Sequence, residues 1–282
     1  MEAGYVTRTM SRDEVALAID WAAREGWNPG LHDAETFPAA DPQGFFVATL
    51  DGEPVASISV VKYGPGFAFL GLYIVRPECR GRGLGRRVWQ HGMASAHGRQ
   101  VGLDGVVAQQ PNYRKSGFEL AWRNVRHEGH GGTQAPEDAR LVDLAGIPFD
   151  VVCAYDKSYF PAARTAFLRA WFTQPDAAAR GWIEDGRLQG YGVVRRCRSG
   201  WKIGPLFAER ERIAECLFLA LCSQAGADEP VYLDLPEANA AAVALAQRHH
   251  MRIVFETARM YTGRPPAVNM HGLYGVTTFE LG

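Results

Sequence analysis

The segment Arg80-Gly81-Arg82-Gly83-Leu84-Gly85-Arg86 has the residue types and spacing of an anion site. It follows an apolar run, residues 67–75, that reads as a buried strand, and it opens residues 86–96, which have helical character. A strand that turns through glycines into a helix start brings bare backbone N–H groups together. The helix dipole adds partial positive charge at the same place. Glycine permits positive φ and close approach of backbone to ligand. The ligand this implies is a phosphate or pyrophosphate; the bland alternative is a turn that only connects two elements.

Glycine spacing separates the candidate phosphate ligands. A dinucleotide fingerprint requires G-x-G-x-x-G, but Arg86 replaces the third glycine counted from Gly81 and Val88 replaces it counted from Gly83. A Walker A loop ends in Gly-Lys-Ser/Thr, which is absent. The pattern present is R-x-x-G-x-G, from Arg80 to Gly85. It resembles the acetyl-CoA pyrophosphate loop of the GNAT superfamily of N-acetyltransferases. Tyr113-Arg114-Lys115-Ser116-Gly117-Phe118 resembles the Y-x-K-x-G-F signature that follows the fifth strand in that family. The resemblance covers roughly residues 3–130. Glu25 to Gly30, Asp41-Pro42, Gly102 to Val106 and the closing residues 274–282 are similar to a two-domain subgroup of it.

Acetyl transfer to an amine has three demands. The amine must lose its proton, since a free primary amine has a pKa near ~10. The thioester carbonyl must be polarised as oxyanion charge grows. The departing thiolate must be protonated. A phenol at Tyr113 suits the last task, as the resemblance also implies; a core tyrosine is the plain alternative. For the oxyanion, the resemblance implies a backbone N–H near Ile74 or Val75, on a strand splayed from its neighbour, with Tyr73 beside them. It implies the pyrophosphate on the amides of Gly81, Gly83 and Gly85, around Leu84 and with Arg86, while Arg80 and Arg82 could contact it or only the 3′-phosphate, or equally be solvated surface arginines. Family members often carry a basic glutamate on the strand before the loop, but residues 67–75 hold no acid. Asp104, in an otherwise apolar run, is the substitute; as a buried carboxylate it could equally be a structural acceptor. Glu25 and a water chain are other routes to a base. The asparagine the family carries seven residues before the tyrosine is Val106 here, with Gln109 or Asn112 as replacements. Trp27, Asn28 and Asp33 lie where the family shapes its acceptor pocket; Trp27 could be a pocket wall or a core anchor, and Asp33 and Asp41 could hold a cationic amine, although Asp41-Pro42 is just as good a turn.

The 282 residues carry 30 basic and 31 acidic side chains, which argues against nucleic acid or an anionic membrane as main partner. The five cysteines are scattered without C-x-x-C, so a reducing compartment without disulfides or a zinc site is expected. No histidine pattern suggests a metal. Residues 1–4 lack the character of a signal peptide. No apolar stretch approaches the ~20 residues of a membrane span. A cytoplasmic protein follows as the expectation; composition says nothing of its oligomeric state.

The elements that must position these groups alternate in type. Strands are expected over residues 5–10, 45–50, 55–63, 67–75, 101–107 and 118–125, with helices over 12–24 and 86–96 and a short one at Tyr113. Ser11 and Glu14 form a capping box, and Asp51-Gly52 a hairpin turn. Residues 127–136 read as a polar linker. The second half echoes the first: Asp185-Gly186 repeats the turn, Ile203-Gly204-Pro205 repeats Val75-Arg76-Pro77, and helices at 209–225 and 237–249 alternate with strands at 231–235 and 253–261. No glycine falls on the loop position, where Glu209 and Glu211 stand, and Ala246 takes the place of Tyr113. The tail, 274–282, is expected to dock on the body and close a cleft between halves.

The expectation is therefore an α/β protein of mixed sheet, with tandem GNAT-like folds: a catalytic domain over 3–128, a linker over 129–137 and a degenerate copy over 138–282. It would move an acetyl group from acetyl-CoA, without a metal, directly to a primary amine of a small metabolite. A protein-lysine acetyltransferase, an acyl-CoA sensor without turnover and a longer acyl donor are the alternatives.

Overall fold

The computed structural model describes residues 4–282; Met1, Glu2 and Ala3, on which part of the leader reading rests, lie outside the described residues. In chain order the first half contributes β1 (Tyr5–Thr9), α1 (Arg12–Arg24), α2 (Asp33–Thr36), β2 (Phe45–Leu50), β3 (Glu53–Tyr63), β4 (Phe67–Val75), α3 (Leu84–Ser95), β5 (Gln100–Val106), α4 (Gln110–Lys115) and β6 (Phe118–His130). The second half contributes β7 (Leu141–Asp143), α5 (Phe149–Asp156), α6 (Thr165–Thr173), β8 (Ala177–Glu184), β9 (Arg187–Arg196), β10 (Trp201–Ala208), α7 (Glu211–Cys222), β11 (Pro230–Pro236), α8 (Ala240–Arg248), β12 (Arg252–Thr262) and β13 (Leu273–Gly275).

Local chemistry sets these boundaries. Glu14 N donates to Ser11 Oγ at 3.3 Å and Ser11 N donates to the Glu14 carboxylate at 2.8 Å, so the capping box starts α1. Asp51 and Gly52 take φ of 51° and 88° between β2 and β3, and Asp185 and Gly186 take 51° and 71° between β8 and β9. Both-positive φ in a two-residue loop matches the twist of the flanking strands.

The strands form one sheet in the order β1-β2-β3-β4-β5-β12-β6-β11-β10-β9-β8-β7, with β13 added on β10. The halves have exchanged their last strands. β12 lies between β5 and β6, and β6 pairs with β11. The linker expected from residue 127 therefore starts later. His127, Glu128, Gly129 and His130 face Leu233, Tyr232, Val231 and Pro230 in the ladder. Gly129 is a packing glycine, because a Cβ there would lie 3.0 Å from Met251 Cγ. Helices α5 and α6, unassigned from sequence, bury Val152, Phe167, Leu168 and Trp171. No helix among the described residues is long and apolar enough to cross a membrane.

Among the described residues, four buried cationic side chains reach from one half to a partner in the other. Arg126 donates to both oxygens of Asp234 at 2.6 and 2.7 Å. Arg195 donates to Asp33 at 3.1 Å, Arg259 to Asp104 at 2.6 and 2.9 Å, and Lys202 Nζ to Asn28 O at 2.7 Å. Burial alone would raise the Asp234 carboxyl, but Arg126 overrides it and holds it below the ordinary value. A group depressed in this way stabilises the fold above its unfolded pKa, and the contribution fades as pH falls through the folded value. Arg126→Met leaves Asp234 buried without its partner. It should cost about 3–5 kcal/mol at neutral pH by denaturant titration. The deficit should shrink on acidification, because the stranded carboxyl then folds protonated; a deficit that is flat with pH would contradict this account.

Candidate active site

β4 and β5 run parallel but pair only from Phe67 with Gln100 to Leu70 with Leu103, although β4 continues to Val75 and β5 to Val106. Beyond that point they part. The ladder to β3 slips between Ser57 and Ser59, and Leu72 takes a φ of 44°, so a bulge marks the start of the opening. Ser57 Oγ donates to Leu72 O at 2.7 Å and holds the bulge. Arg76 N donates to Val55 O at 3.0 Å. By strand alternation the Ile74 N–H then points to β3 and the Val75 N–H into the opening. Of the two amides expected as oxyanion donors, Val75 alone faces the gap.

The opening is a cavity of about 380 Å³. One side is lined by residues 70–73 and Val75 of β4 and by Leu103 to Val106 at the end of β5. Gln109 and Tyr113 lie beyond them, and Trp27, Phe255, Thr257, Phe279 and Glu280 form the other side. An adjoining groove of about 560 Å³ shares Tyr73, Gln109 and Tyr113 with it and adds Arg86, Trp89, Asn112 and Lys115. Asn112 donates to Gln109 Oε1 at 2.8 Å, so both expected replacements for the missing asparagine sit at this junction.

Tyr113 projects from α4 onto β5. A Cβ at Gly105 would lie 2.2 Å from its ring, so glycine there is what admits the phenol. Trp89 stacks on the other face at 5.6 Å between centroids. Burial pushes the phenol above its ordinary pKa, so it stays protonated at working pH. Asp104 also reaches the cavity, but Arg259 holds both its oxygens and Asn124 donates to one at 2.8 Å. Burial pushes the Asp104 carboxyl up while Arg259 and Asn124 pull it back. The rise is not cancelled, but with both oxygens held by Arg259 the carboxylate is committed to a buried pair, which favours the structural reading of Asp104.

Gly81 and Gly83 take φ of 77° and 79°, and nothing lies within 4 Å of where a Cβ would point. Gly85 differs: a Cβ would meet Tyr73 Oη and Val75 Cγ2 at 2.8 Å, so it packs α3 against β4. The first turn of α3 holds no acid and no side-chain cap, yet contains Arg86. Cations at a helix N-terminus are unfavourable unless an anion joins them. The loop thus fits a diphosphate. Arg80 is committed elsewhere, donating to Val75 O at 2.9 Å and pairing with Glu25.

The acceptor residues divide. Trp27 lines the cavity, its carbonyl held by Arg126 at 2.8 Å. Asn28 and Asp33 do not reach it. Asn28 bonds Ser199 through its side chain and Lys202 through its carbonyl. Asp33 is fully buried on Arg195 and Gly30 N. Asp41 binds Lys62 at 2.9 Å. Both aspartates are spent on structure: Asp33 ties its loop to Arg195 of the second half, whereas Asp41 stays within the first half on Lys62 of β3. Sequence reasoning missed Phe255, Thr257, Phe279 and Glu280. Only the apolar tail hinted at them, since strand exchange cannot be read from periodicity.

The equivalent cleft of the second half is closed. β10 pairs with β11 from Trp201 to Ile203 and then parts from it. β13 lies on β10 there, Gly275 opposite Leu206, and Tyr274 is buried in the gap. The first turn of α7 carries Glu211. The tail continues from this plug into the first cleft.

An open cleft with a phenol at its neck and a glycine loop at its mouth defines an acyl-CoA-dependent acyltransferase. Residues 13–118 match the acetyltransferase (GNAT) family model, and residues 152–275 match an acetyltransferase (GNAT) domain model. The chain belongs to the GNAT family and is a tandem GNAT acyltransferase. It is 30% identical over 280 residues to the holothin acyltransferase of Pseudoalteromonas sp. (strain SANK 73390), covering 99% of this chain and 95% of that one. Its fold matches a putative acetyltransferase of Pyrococcus horikoshii with a TM-score of 0.85 at 23% identity over 99% and 96% of the two chains. It also matches a tandem GNAT protein of the clavulanic acid biosynthesis pathway with a TM-score of 0.63 at 16% identity over 93% and 99%. Family members use acyl-CoA.

Gly105→Ala should displace Tyr113 with little change in the loop. A misplacement of about 1 Å can cost about 10²-fold in rate. Thiol release should fall by at least tenfold while acetyl-CoA affinity by calorimetry stays within about threefold; equal losses in both would contradict this placement of the phenol.

Proposed function

We propose that this chain transfers an acyl group, acetyl in the first instance, from acyl-CoA directly to the primary amine of a small molecule. The observation that carries the reading is the passage from the glycine loop past Tyr113 into the gap between β4 and β5. The amides from Gly81 to Gly85, with Arg82 and Arg86, hold the diphosphate. The edge of β4 at Tyr73 and Val75 takes the pantetheine arm. The Val75 N–H polarises the thioester carbonyl. Tyr113 protonates the departing thiolate, and the burial that raises its pKa acts in the same direction on a thiolate formed beside it. Asp104 aligns Arg259 and the exchanged strand.

The acceptor end favours a small molecule with an apolar body. Trp27, Phe255 and Phe279 wall it, and Thr257 Oγ1 is buried there without a partner. The relative named for acting on holothin supports the same class. Direct transfer is supported by the thiols: burial pushes those of Cys153, Cys197 and Cys216 up and that of Cys222 to about 12, far from a nucleophile. Cys79 is buried outside the cavity.

The test is thiol release from acetyl-CoA against a panel holding benzylamine, tyramine, holothin and a lysine peptide. Turnover with small amines supports the reading, turnover confined to the peptide favours the protein-lysine alternative, and binding without thiol release leaves a sensor. Tyr113→Phe should lower kcat by roughly 10²–10⁴-fold with acetyl-CoA affinity nearly kept. Gly83→Val, bulky at a φ of 79°, should abolish acetyl-CoA binding while circular dichroism stays native.

A further inference from the structure

Among the described residues, five carboxylates lie in the interior, and four are neutralised by an arginine. Asp33 pairs with Arg195, Asp104 with Arg259, Asp156 with Arg164, and Asp234 with Arg126. The fifth is Glu280. The residue is 4% exposed, no hydrogen bond or ion pair from the described residues reaches its carboxylate, and it lines the same cavity as Tyr113 and the open edge of β4. An unpaired interior carboxylate is costly, and such groups concentrate where chemistry needs them.

The backbone that carries it is pinned residue by residue. Thr278 Oγ1 accepts from Glu280 N at 3.1 Å and Leu281 N at 2.9 Å. Tyr63 Oη donates to Leu281 O at 3.0 Å, and Arg164 to Gly282 O at 3.2 Å. Phe279 lies under Arg126, whose guanidinium is 5.0 Å from its centroid. On β4, a Cβ at Gly71 would stand 2.2 Å from Glu280 O, so only glycine lets the tail lie on the strand beside the bulge. The tail is held as firmly as a core strand while its one acid is left unpartnered.

We propose that Glu280, supplied by the second half to the site of the first, is the general base that takes the proton from the acceptor's ammonium group. The inference rests on the acyl transfer of the preceding section. The ammonium gives one proton to the Glu280 carboxylate. The neutral amine attacks the thioester carbon, a C–N bond forms and the C–S bond breaks. Tyr113 gives its proton to the leaving thiolate, and the attacking nitrogen returns one to the tyrosinate. Glu280 releases its proton to solvent, so ammonium and acyl-CoA become amide, free thiol and one proton.

The surroundings set the pH behaviour. Burial raises the Glu280 pKa, and Asp33 of α2 adds to it. Lys202 of β10, Arg126 of β6 and Arg195 of β9 draw it down without cancelling the rise. Asp104 and Tyr113 share the cavity, Asp104 held by Arg259. The ascending limb of kcat/KM should therefore lie above the ordinary glutamate range.

Glu280→Gln is isosteric and keeps the tail's backbone contacts. With acetyl-CoA and the most active amine of the panel, kcat/KM at pH 7 should fall about 10²-fold or more. Acetyl-CoA affinity and Tm should stay near wild type. The deficit should narrow as pH approaches the amine pKa near ~10, where the acceptor is neutral without help. Glu280→Asp should keep a titrating limb. A variant within threefold of wild type, or one with the same deficit at every pH, overturns the assignment. Wild type is scored first: if it releases no thiol with any amine, the acyltransfer reading itself falls and this inference with it, whereas an active wild type beside an equally active Glu280→Gln removes Glu280 alone.

Discussion

Because β12 lies between β5 and β6, neither half of this chain completes its sheet alone. Without it, β5 would present a bare edge and Asp104 would be an interior carboxylate without a cation. With it, Arg259 arrives opposite Asp104 in register and closes the pair. A one-residue slip would turn Arg259 to the other face of the sheet. Buried ion pairs contribute little net stability once desolvation is counted, yet leaving one partner alone is severely unfavourable. The four links between halves therefore act as register marks. In the exchanged arrangement Asp33, Asp104 and Asp234 each meet an arginine from the other half.

The same duplicated fold then yields one working cleft and one closed one. Parallel strands that pair for a few residues and part occur twice, at β4 with β5 and at β10 with β11. In the first, positive-φ glycines and an uncapped helix start leave donors open to an anion. In the second, Glu211 occupies the helix start and β13 fills the gap from the chain's own tail. A fold is a scaffold, and the difference lies in the residues that end its strands. The plug and the acceptor wall belong to one continuous segment, so closing the second cleft delivers Phe279 and Glu280 to the first.

What could be read from the sequence was local. The loop from Arg80 to Gly85, the turn at Asp51-Gly52, the capping box at Ser11 and the strand over Phe67–Val75 are decided by residues near one another in the chain, and each lies where the pattern put it. Tyr113 was legible because its motif is contiguous, and so was the emptiness of the second copy. Partners distant in sequence were not. Asp33 could be read as a cation holder, and Asp104 as a base as readily as a structural acceptor, because their arginines stand 162 and 155 residues away. Gly129 looked like linker because its neighbour Met251 comes from the other half. The acceptor wall was invisible for the same reason, since Phe255 and Thr257 ride on the exchanged strand.

Charge balance beneath the cavity bears on how an unpaired glutamate persists there. Arg126, Arg195 and Lys202 face Asp33, Asp234 and Glu280, three cations against three anions. With Glu280 ionised the group is neutral, which tempers the cost of holding a carboxylate without a hydrogen bond. When Glu280 takes a proton the group becomes net positive. That excess charge disfavours keeping the proton and favours its passage to water once the ammonium is gone. Burial lowers the pKa of Lys202, but Lys202 is tied to Asn28 O and cannot swing toward the glutamate to form a tight pair. A close ion pair would lower the Glu280 pKa and weaken it as a base; cations held in place nearby temper the rise in its pKa without giving it a hydrogen bond.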